Sequence, residues 1–142
     1  MRRGNVRNVL GLTFIVGLTL AICAVLIAYG RETISAKDLR VLLVLVLTTY
    51  GIHIGVILGG YFGSGKSVPS GNAGFAGGLA IVLAILWNLL VLTRLGLFVL
   101  AVFDPTRTDD VSDLSTYIEN VAIASSFLVT GALSFFFARR AA

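Results

Sequence analysis

The eight residues from Gly60 to Ser67, GYFGSGKS, match the phosphate-binding loop pattern G-x-x-x-x-G-K-[ST] at each fixed position. In such loops, backbone N–H groups surround the phosphates, the lysine reaches the β- and γ-phosphate oxygens, and the hydroxyl binds magnesium. This chemistry requires a buried strand before the loop and a helix that opens at the lysine. Nucleotide binding is therefore predicted only if the neighbouring segments supply both elements.

Four other polar or ionisable residues lie within or beside apolar stretches, where such groups are candidates for binding a ligand or lining a pore: His53, Asn88, Arg94 and Glu119. His53 fits either a neutral histidine bonded to a neighbour or a proton relay or pore lining. Asn88 favours a hydrogen bond between helices over a ligand. Arg94 fits a position at a membrane interface, a buried pair with Glu119, or a polar cavity.

Composition indicates that these residues are positioned by membrane-spanning helices. The chain of 142 residues is 57% hydrophobic and 13% charged, with a mean hydropathy of +0.97, whereas soluble domains carry about 25% charged residues. Spans are predicted at approximately 9–29, 36–62, 75–103 and 117–138, and each reaches the roughly 20 residues that cross a bilayer. The sequence predicts an all-α integral membrane protein, in which residues 1–142 form one four-helix bundle with short loops and no soluble domain.

The N-terminal apolar run is predicted to be the first span and not a removed signal peptide. It is longer than the usual signal core of about 7–15 residues. The span contains Cys23, the one cysteine of the chain, so no disulfide forms within the chain. One cysteine and one histidine do not make a metal cluster, and no metal or cofactor is expected.

Charge asymmetry predicts the orientation of the bundle. Four spans place both termini on one side, together with six basic and no acidic residues: Arg2, Arg3, Arg7, Lys66, Arg139 and Arg140. The opposite loops are predominantly acidic. Because lysine and arginine are retained in the cytoplasm, the sequence predicts cytoplasmic termini in a bacterial inner membrane. Topology explains the positive charge, so nucleic acid is not a predicted partner.

The neighbours of the GYFGSGKS motif do not suit a phosphate-binding loop. The second predicted span precedes it where a strand is required, and Val68-Pro69-Ser70-Gly71 follows where a helix should open. The match is therefore predicted to be coincidental. No residues are spaced as a nucleophile and base or as paired carboxylates, so the sequence does not predict an enzyme.

Local signals predict several helix ends. The segments Ser35–Asp38 and Thr116–Glu119 both fit the capping box, so the second and fourth helices are predicted to begin near Ala36 and Tyr117. Asp104-Pro105 is predicted to end the third helix. The aspartate-rich loop around residues 104–115 fits a solvated loop or an anionic surface for a cation or basic partner.

Small residues recur at every fourth position, a spacing that lets membrane helices approach closely. The glycine stripe, defined as Gly51, Gly55 and Gly59, is the strongest example. Other predicted packing residues are Ala80 and Ala84 in the third span and Ser126 and Thr130 in the fourth, with a shorter Thr13, Gly17, Ala21 series in the first. The glycine stripe fits a contact within the chain or a contact between copies.

These features predict a non-enzymatic, self-associating membrane bundle that acts as a pore, a sensor or a membrane-perturbing effector. The alternative is an accessory subunit of a larger membrane complex, and a small transporter has weaker support because no inverted repeat is visible. The expected partners are the lipid bilayer and either further copies of the chain or another membrane subunit.

Overall fold

The structure, a computed structural model, describes residues 2–63, 74–101 and 110–138. These ranges contain the helices α1 (Arg3–Gly30), α2 (Ala36–Gly63), α3 (Gly74–Ala101), α4 (Val111–Tyr117) and α5 (Ala124–Ala138), with a π-helical segment, Ile118–Ile123, joining α4 to α5. The prediction of an all-helical chain is confirmed for the described residues. The predicted end of the third helix at Asp104-Pro105 lies outside them.

Four helices of the described chain are long and apolar enough to cross a membrane. They are Arg3–Gly30, Ala36–Phe62, Gly74–Ala101 and Val111–Phe137, each of 27 or 28 residues. At 1.5 Å per residue they are about 40 Å long, which exceeds the roughly 30 Å of a bilayer's hydrocarbon core. Large apolar side chains such as Leu12, Phe62 and Phe127 are exposed along their outer faces, which suggests a multi-pass membrane protein.

The start of α2 follows the local sequence as predicted. The Ser35 hydroxyl accepts a hydrogen bond from the Asp38 backbone N–H at 3.2 Å, and the Asp38 carboxylate accepts from the Ser35 backbone N–H at 3.2 Å. This reciprocal pair satisfies two of the N–H groups that the first helical turn leaves without a partner.

Two helices begin earlier than the sequence predicts. α1 starts at Arg3, so the charged segment before residue 9 is helical. The fourth helix starts at Val111 and not near Tyr117, because the Asp110 carboxylate accepts from the Val111 backbone N–H at 2.6 Å. Leu114 in this additional turn is fully buried. An earlier cap and a buried leucine therefore extend the helix beyond the Thr116 capping box, which lies inside the helix.

The helices form a square in which sequence neighbours are not always spatial neighbours. α1 packs against α2 and α3, and α5 also packs against α2 and α3, so α2 and α3 occupy diagonal corners. Small residues line the shared interior, and Ala21, Ala80 and Ala84 are fully buried. Their size allows the backbones to approach closely.

Candidate functional site

Aromatic rings fill the middle of the bundle around His53. The His53 ring is fully buried, and its centre lies 4.8 Å from that of Phe14 on α1 and 4.5 Å from that of Trp87 on α3. Tyr50 lies one turn before His53 on the same face of α2, and its ring centre is 5.0 Å from that of Trp87. We call Tyr50, His53, Trp87, Asn88 and Thr130 the polar centre.

Trp87 connects the polar centre to the π-helical segment by a hydrogen bond. Its indole N–H donates to the Ala122 carbonyl at 2.9 Å. The same carbonyl accepts from the Ser126 hydroxyl at 2.8 Å and the Ser125 hydroxyl at 3.1 Å. In a π-helix the backbone hydrogen bonds are offset by one residue relative to an α-helix, and such segments occur frequently at functional sites. Side-chain donors therefore converge on a carbonyl at the place where the helix is irregular.

Three buried polar atoms of the polar centre have no hydrogen-bond partner among the described residues. Nδ1 of His53 and the Thr130 hydroxyl are 3.2 Å apart, and the direction of this bond depends on the histidine tautomer. His53 Nε2, the Tyr50 hydroxyl and Asn88 Oδ1 are the unpartnered atoms. Leaving such a group without a partner costs about 1–3 kcal/mol. Each of these three side chains therefore has one buried polar atom that is not used in a hydrogen bond within the described chain.

Asn88 is held by its own helix and pressed against α1. Its side-chain N–H donates to the Ala84 carbonyl at 2.8 Å, and the residue is 5% exposed. A Cβ atom on Gly17 would lie 2.9 Å from Asn88 Cγ and 3.0 Å from Tyr50 Cε1, and closer still to Asn88 Oδ1. Asn88 thus contacts α1 by close packing, whereas its hydrogen bond to Ala84 stays within α3.

Arg94 and Glu119 lie outside the polar centre. Arg94 is half-buried, about 9 Å further along α3 than Asn88, and its guanidinium carbon is 5.9 Å from the centre of the Tyr117 ring. Glu119 is exposed within the π-helical segment. Of the four candidate binding residues, the structure therefore brings His53 and Asn88 to one region and places the other two elsewhere.

A second cluster, which sequence reasoning missed, joins the start of α1 to the ends of α2 and α5. Arg7 is buried, with its guanidinium carbon 4.1 Å from the centre of the Tyr61 ring, and it donates to the Gly60 carbonyl at 3.4 Å. Arg3 lies 5.9 Å from the Phe136 ring centre. The four-residue spacing of Arg3 and Arg7 is the sequence signal that places both on one helix face. Their charge also suits the negative end of the α2 dipole.

This cluster accounts for the first glycine of the GYFGSGKS motif. A Cβ atom on Gly60 would lie 2.8 Å or less from atoms of the Phe137 ring. Residues Gly60 to Gly63 belong to α2, so half of the motif is helical where a phosphate loop would need its backbone N–H groups free. The remaining residues, Ser64 to Ser67, lie outside the described part of the chain.

The glycine stripe faces away from the polar centre. Gly51, Gly55 and Gly59 are exposed, and apart from the adjoining backbone of α2 itself, no atom of the described chain lies within 4 Å of the Cβ position of any of them. By contrast, Ala80, Ala84 and Ser126 are buried and Thr130 is half-buried. The glycine stripe was predicted to make a contact either within the chain or between copies of the chain. Within the described chain it makes no contact with another helix.

Comparison of the chain with protein-family models, with curated proteins and with solved structures finds no match. Among residues 2–63, 74–101 and 110–138, no group of three or more histidine, cysteine, aspartate or glutamate side chains is placed to hold a metal ion. The site is therefore interpreted from its own geometry.

Proposed function

We propose that this chain is a non-enzymatic inner-membrane protein that spans the bilayer four times and associates with further copies through the glycine stripe of α2. The observation that carries the proposal is the open space beside Gly51, Gly55 and Gly59, all exposed on one helix face. Each glycine costs a helix roughly 1 kcal/mol relative to alanine. Three of them at a spacing of four, unused within the described chain, favour a close contact with another helix.

The residues on the opposite face of α2 also support a contact between copies through the glycine stripe. His53 and Tyr50 are fully buried against α1 and α3, so packing within the chain uses the side of α2 that carries the large residues. The glycine side is left for a flat backbone-to-backbone approach. A second copy can present the identical stripe, because a two-fold interface pairs one surface patch with itself.

The polar centre bears on the choice among pore, sensor and effector. The rings of Phe14, Tyr50, His53 and Trp87 contact one another across the middle of the bundle. A water-filled path along a single chain is therefore blocked at this level. We propose that any pore lies between copies, and that His53, with one ring nitrogen unpartnered, is the group through which the bundle responds to protons.

We also propose that both termini are cytoplasmic. Arg3 and Arg7 lie at the end of the bundle that holds the last turns of α2 and α5. Arg3 and Arg7 make this end basic, whereas the first turns of α2 and α4 contain Asp38 and Asp113. Basic residues are retained on the cytoplasmic side of a bacterial inner membrane.

The test compares Gly55→Leu with Gly131→Leu, a matched change at an exposed glycine of α5 that also has open space at its Cβ. We expect the wild-type chain, purified alone in detergent, to have the mass of a discrete oligomer. Gly55→Leu should fold and have the mass of a smaller species, because a leucine keeps the two backbones apart, and Gly131→Leu should retain the oligomer.

Two results would contradict this proposal. If the wild-type chain is monomeric and stable only with a different membrane protein, the chain is an accessory subunit. If Gly55→Leu and Gly131→Leu leave the mass equally unchanged, the glycine stripe faces lipid. Light scattering with the detergent contribution subtracted distinguishes these cases.

A further inference from the structure

The π-helical segment, Ile118–Ile123, is joined to the middle of the bundle by a side-chain hydrogen bond. The Trp87 indole N–H, on α3, donates to the Ala122 carbonyl at 2.9 Å. A π-helix pairs each carbonyl with an N–H one residue further along the chain than an α-helix does. The segment therefore has two available arrangements, because each backbone hydrogen bond can move to the neighbouring residue.

His53 contacts the fourth span at two places, directly at one and through Trp87 at the other. Its Nδ1 and the Thr130 hydroxyl of α5 are 3.2 Å apart. The centre of its ring lies 4.5 Å from that of Trp87, and the two ring planes cross at 76°. Ala122 and Thr130 are two steps of four residues apart and so lie on one helix face. A change in the His53 ring therefore reaches the fourth span both within the π-helical segment and beyond it.

No carboxylate of the described chain lies beside His53 to neutralise a proton added to its ring. The nearest titratable and charged residues on the helices packed around it are Arg7 on α1, Tyr50 and Tyr61 on α2, Arg94 on α3, and Asp113, Tyr117 and Glu119 on the fourth span. Arg7 and Arg94 are each seven residues, or about 10 Å, along their helices from the aromatic residue that contacts the His53 ring. Asp113 and Glu119 are exposed, whereas His53 is fully buried. A protonated His53 would therefore face aromatic rings and, further away, two cations.

We propose that the π-helical segment is a conformational switch operated by a proton on His53. The proton adds to the ring nitrogen that lacks one, so that both nitrogens carry an N–H. The Nδ1–H then donates to the Thr130 hydroxyl, whereas Nε2 has no hydrogen-bond partner among the described residues. Because a buried, charged N–H without an acceptor is unfavourable, the ring moves and displaces the indole beside it. The Trp87 N–H leaves the Ala122 carbonyl, and the segment changes to an α-helix.

This switch carries a change from the middle of the bundle to its surface. Glu119 lies within the π-helical segment and Asp113 precedes it, and both are exposed. A shift of the backbone hydrogen bonds by one residue rotates the preceding turns about the helix axis, so both carboxylates change position relative to α2 and α3. The switch rests on the proton response proposed for His53 and is independent of self-association.

The experiment is an NMR titration of the purified chain in detergent. The chain has one histidine and one tryptophan, so the ring signals of both are unique in the spectrum. The sample is titrated from about pH 8 to about pH 4, a range around the usual pKa of histidine. We expect the Trp87 indole N–H signal to shift to lower frequency as His53 gains its proton, because the indole hydrogen bond is lost. The backbone amide signals of Ile118–Ile123 should shift with the same midpoint, whereas those at both ends of α1 should not.

Three variants test the steps of the switch. His53→Gln retains a hydrogen-bonding side chain but gains no proton, so its indole and segment signals should not change over the titration. Trp87→Phe lacks the indole N–H, so its segment signals should match those of the acid form at every pH. Ser126→Ala is the matched control, since it removes a different donor to the Ala122 carbonyl and should retain the full pH dependence.

Equal midpoints for the histidine ring, the indole N–H and the segment support the switch, and this comparison needs only the wild-type chain if a variant does not fold. A histidine that titrates while the indole and segment signals stay constant overturns the switch and leaves the proposed proton response standing. A histidine that does not titrate in this range overturns both. A pH-dependent segment in His53→Gln or Trp87→Phe also overturns the switch, and the mass of the oligomer tests self-association separately.

Discussion

Replacing Gly17 by alanine tests the close approach of α1 to α3. The added methyl group would lie 2.9 Å from Asn88 Cγ and 3.0 Å from Tyr50 Cε1, and nearer still to Asn88 Oδ1. Asn88 has little freedom to move away, because it is 5% exposed and its side-chain N–H is bonded to the Ala84 carbonyl. Overpacking of this kind costs about 1–3 kcal/mol.

The preference of helices for alanine over glycine opposes this overpacking cost. A second glycine on α1, Gly11, measures that preference without the overpacking. Alanine is favoured over glycine by roughly 1 kcal/mol in a helix interior. A Cβ atom on Gly11 meets no described atom within 4 Å apart from the adjoining backbone of α1, so Gly11→Ala should be neutral or slightly stabilising. We expect Gly17→Ala to be less stable than Gly11→Ala by about 1–3 kcal/mol, the overpacking cost alone.

A double-mutant cycle tests whether the overpacking cost arises from contact with the Asn88 side chain. Asn88→Ala removes the carbonyl oxygen and Cγ that the new methyl group would meet, so Gly17→Ala should be much less harmful in that background. The assay is reversible unfolding in detergent micelles, and sites in contact couple by about 0.5–3 kcal/mol. Equal stability of Gly17→Ala and Gly11→Ala, or strictly additive effects in the cycle, would refute the close approach.

Three remaining predictions concern the GYFGSGKS segment and the orientation. Gly60→Ala should lower stability because its methyl group meets the Phe137 ring, whereas Lys66→Ala should leave expression and stability near normal; loss of a specific ATP affinity in Lys66→Ala would contradict the prediction of a coincidental motif. A reporter that is active only in the cytoplasm should be active when fused after Ala142 and inactive when inserted at Thr108, and the reverse pattern would contradict the orientation.

The sequence predicted the features that depend on neighbouring residues. Four long apolar helices follow from continuous hydrophobic runs, and the start of α2 follows from a cap that Ser35 and Asp38 complete by themselves. The predicted start of the fourth helix was wrong because the sequence offers two capping signals there, Asp110 and Thr116. Asp110 and the burial of Leu114 extend the helix past Thr116, and burial is a property of the packed bundle.

The polar centre was predictable only in part, because it depends on how helices rotate against one another. His53 and Asn88 were identified as polar groups in apolar runs, but the contacts of Phe14, Tyr50 and Trp87 involve three different helices. No local pattern indicates the π-helical segment that presents the Ala122 carbonyl to Trp87. For the glycine stripe, the spacing of the glycines was evident from the sequence, but only the fold shows that they face outward.

The diagonal placement of α2 and α3 has a consequence for how the chain is made. α1 packs with α2, and α3 packs with α5, so the chain is a pair of hairpins whose contacting surfaces hold the ring cluster. Phe14, Tyr50 and His53 come from the first hairpin, whereas Trp87, Asn88 and Thr130 come from the second. During synthesis His53 therefore lacks its contacts to Trp87 and Thr130 until the second hairpin docks. Two fragments divided between Phe62 and Phe75 should bury these rings only by finding each other in the bilayer.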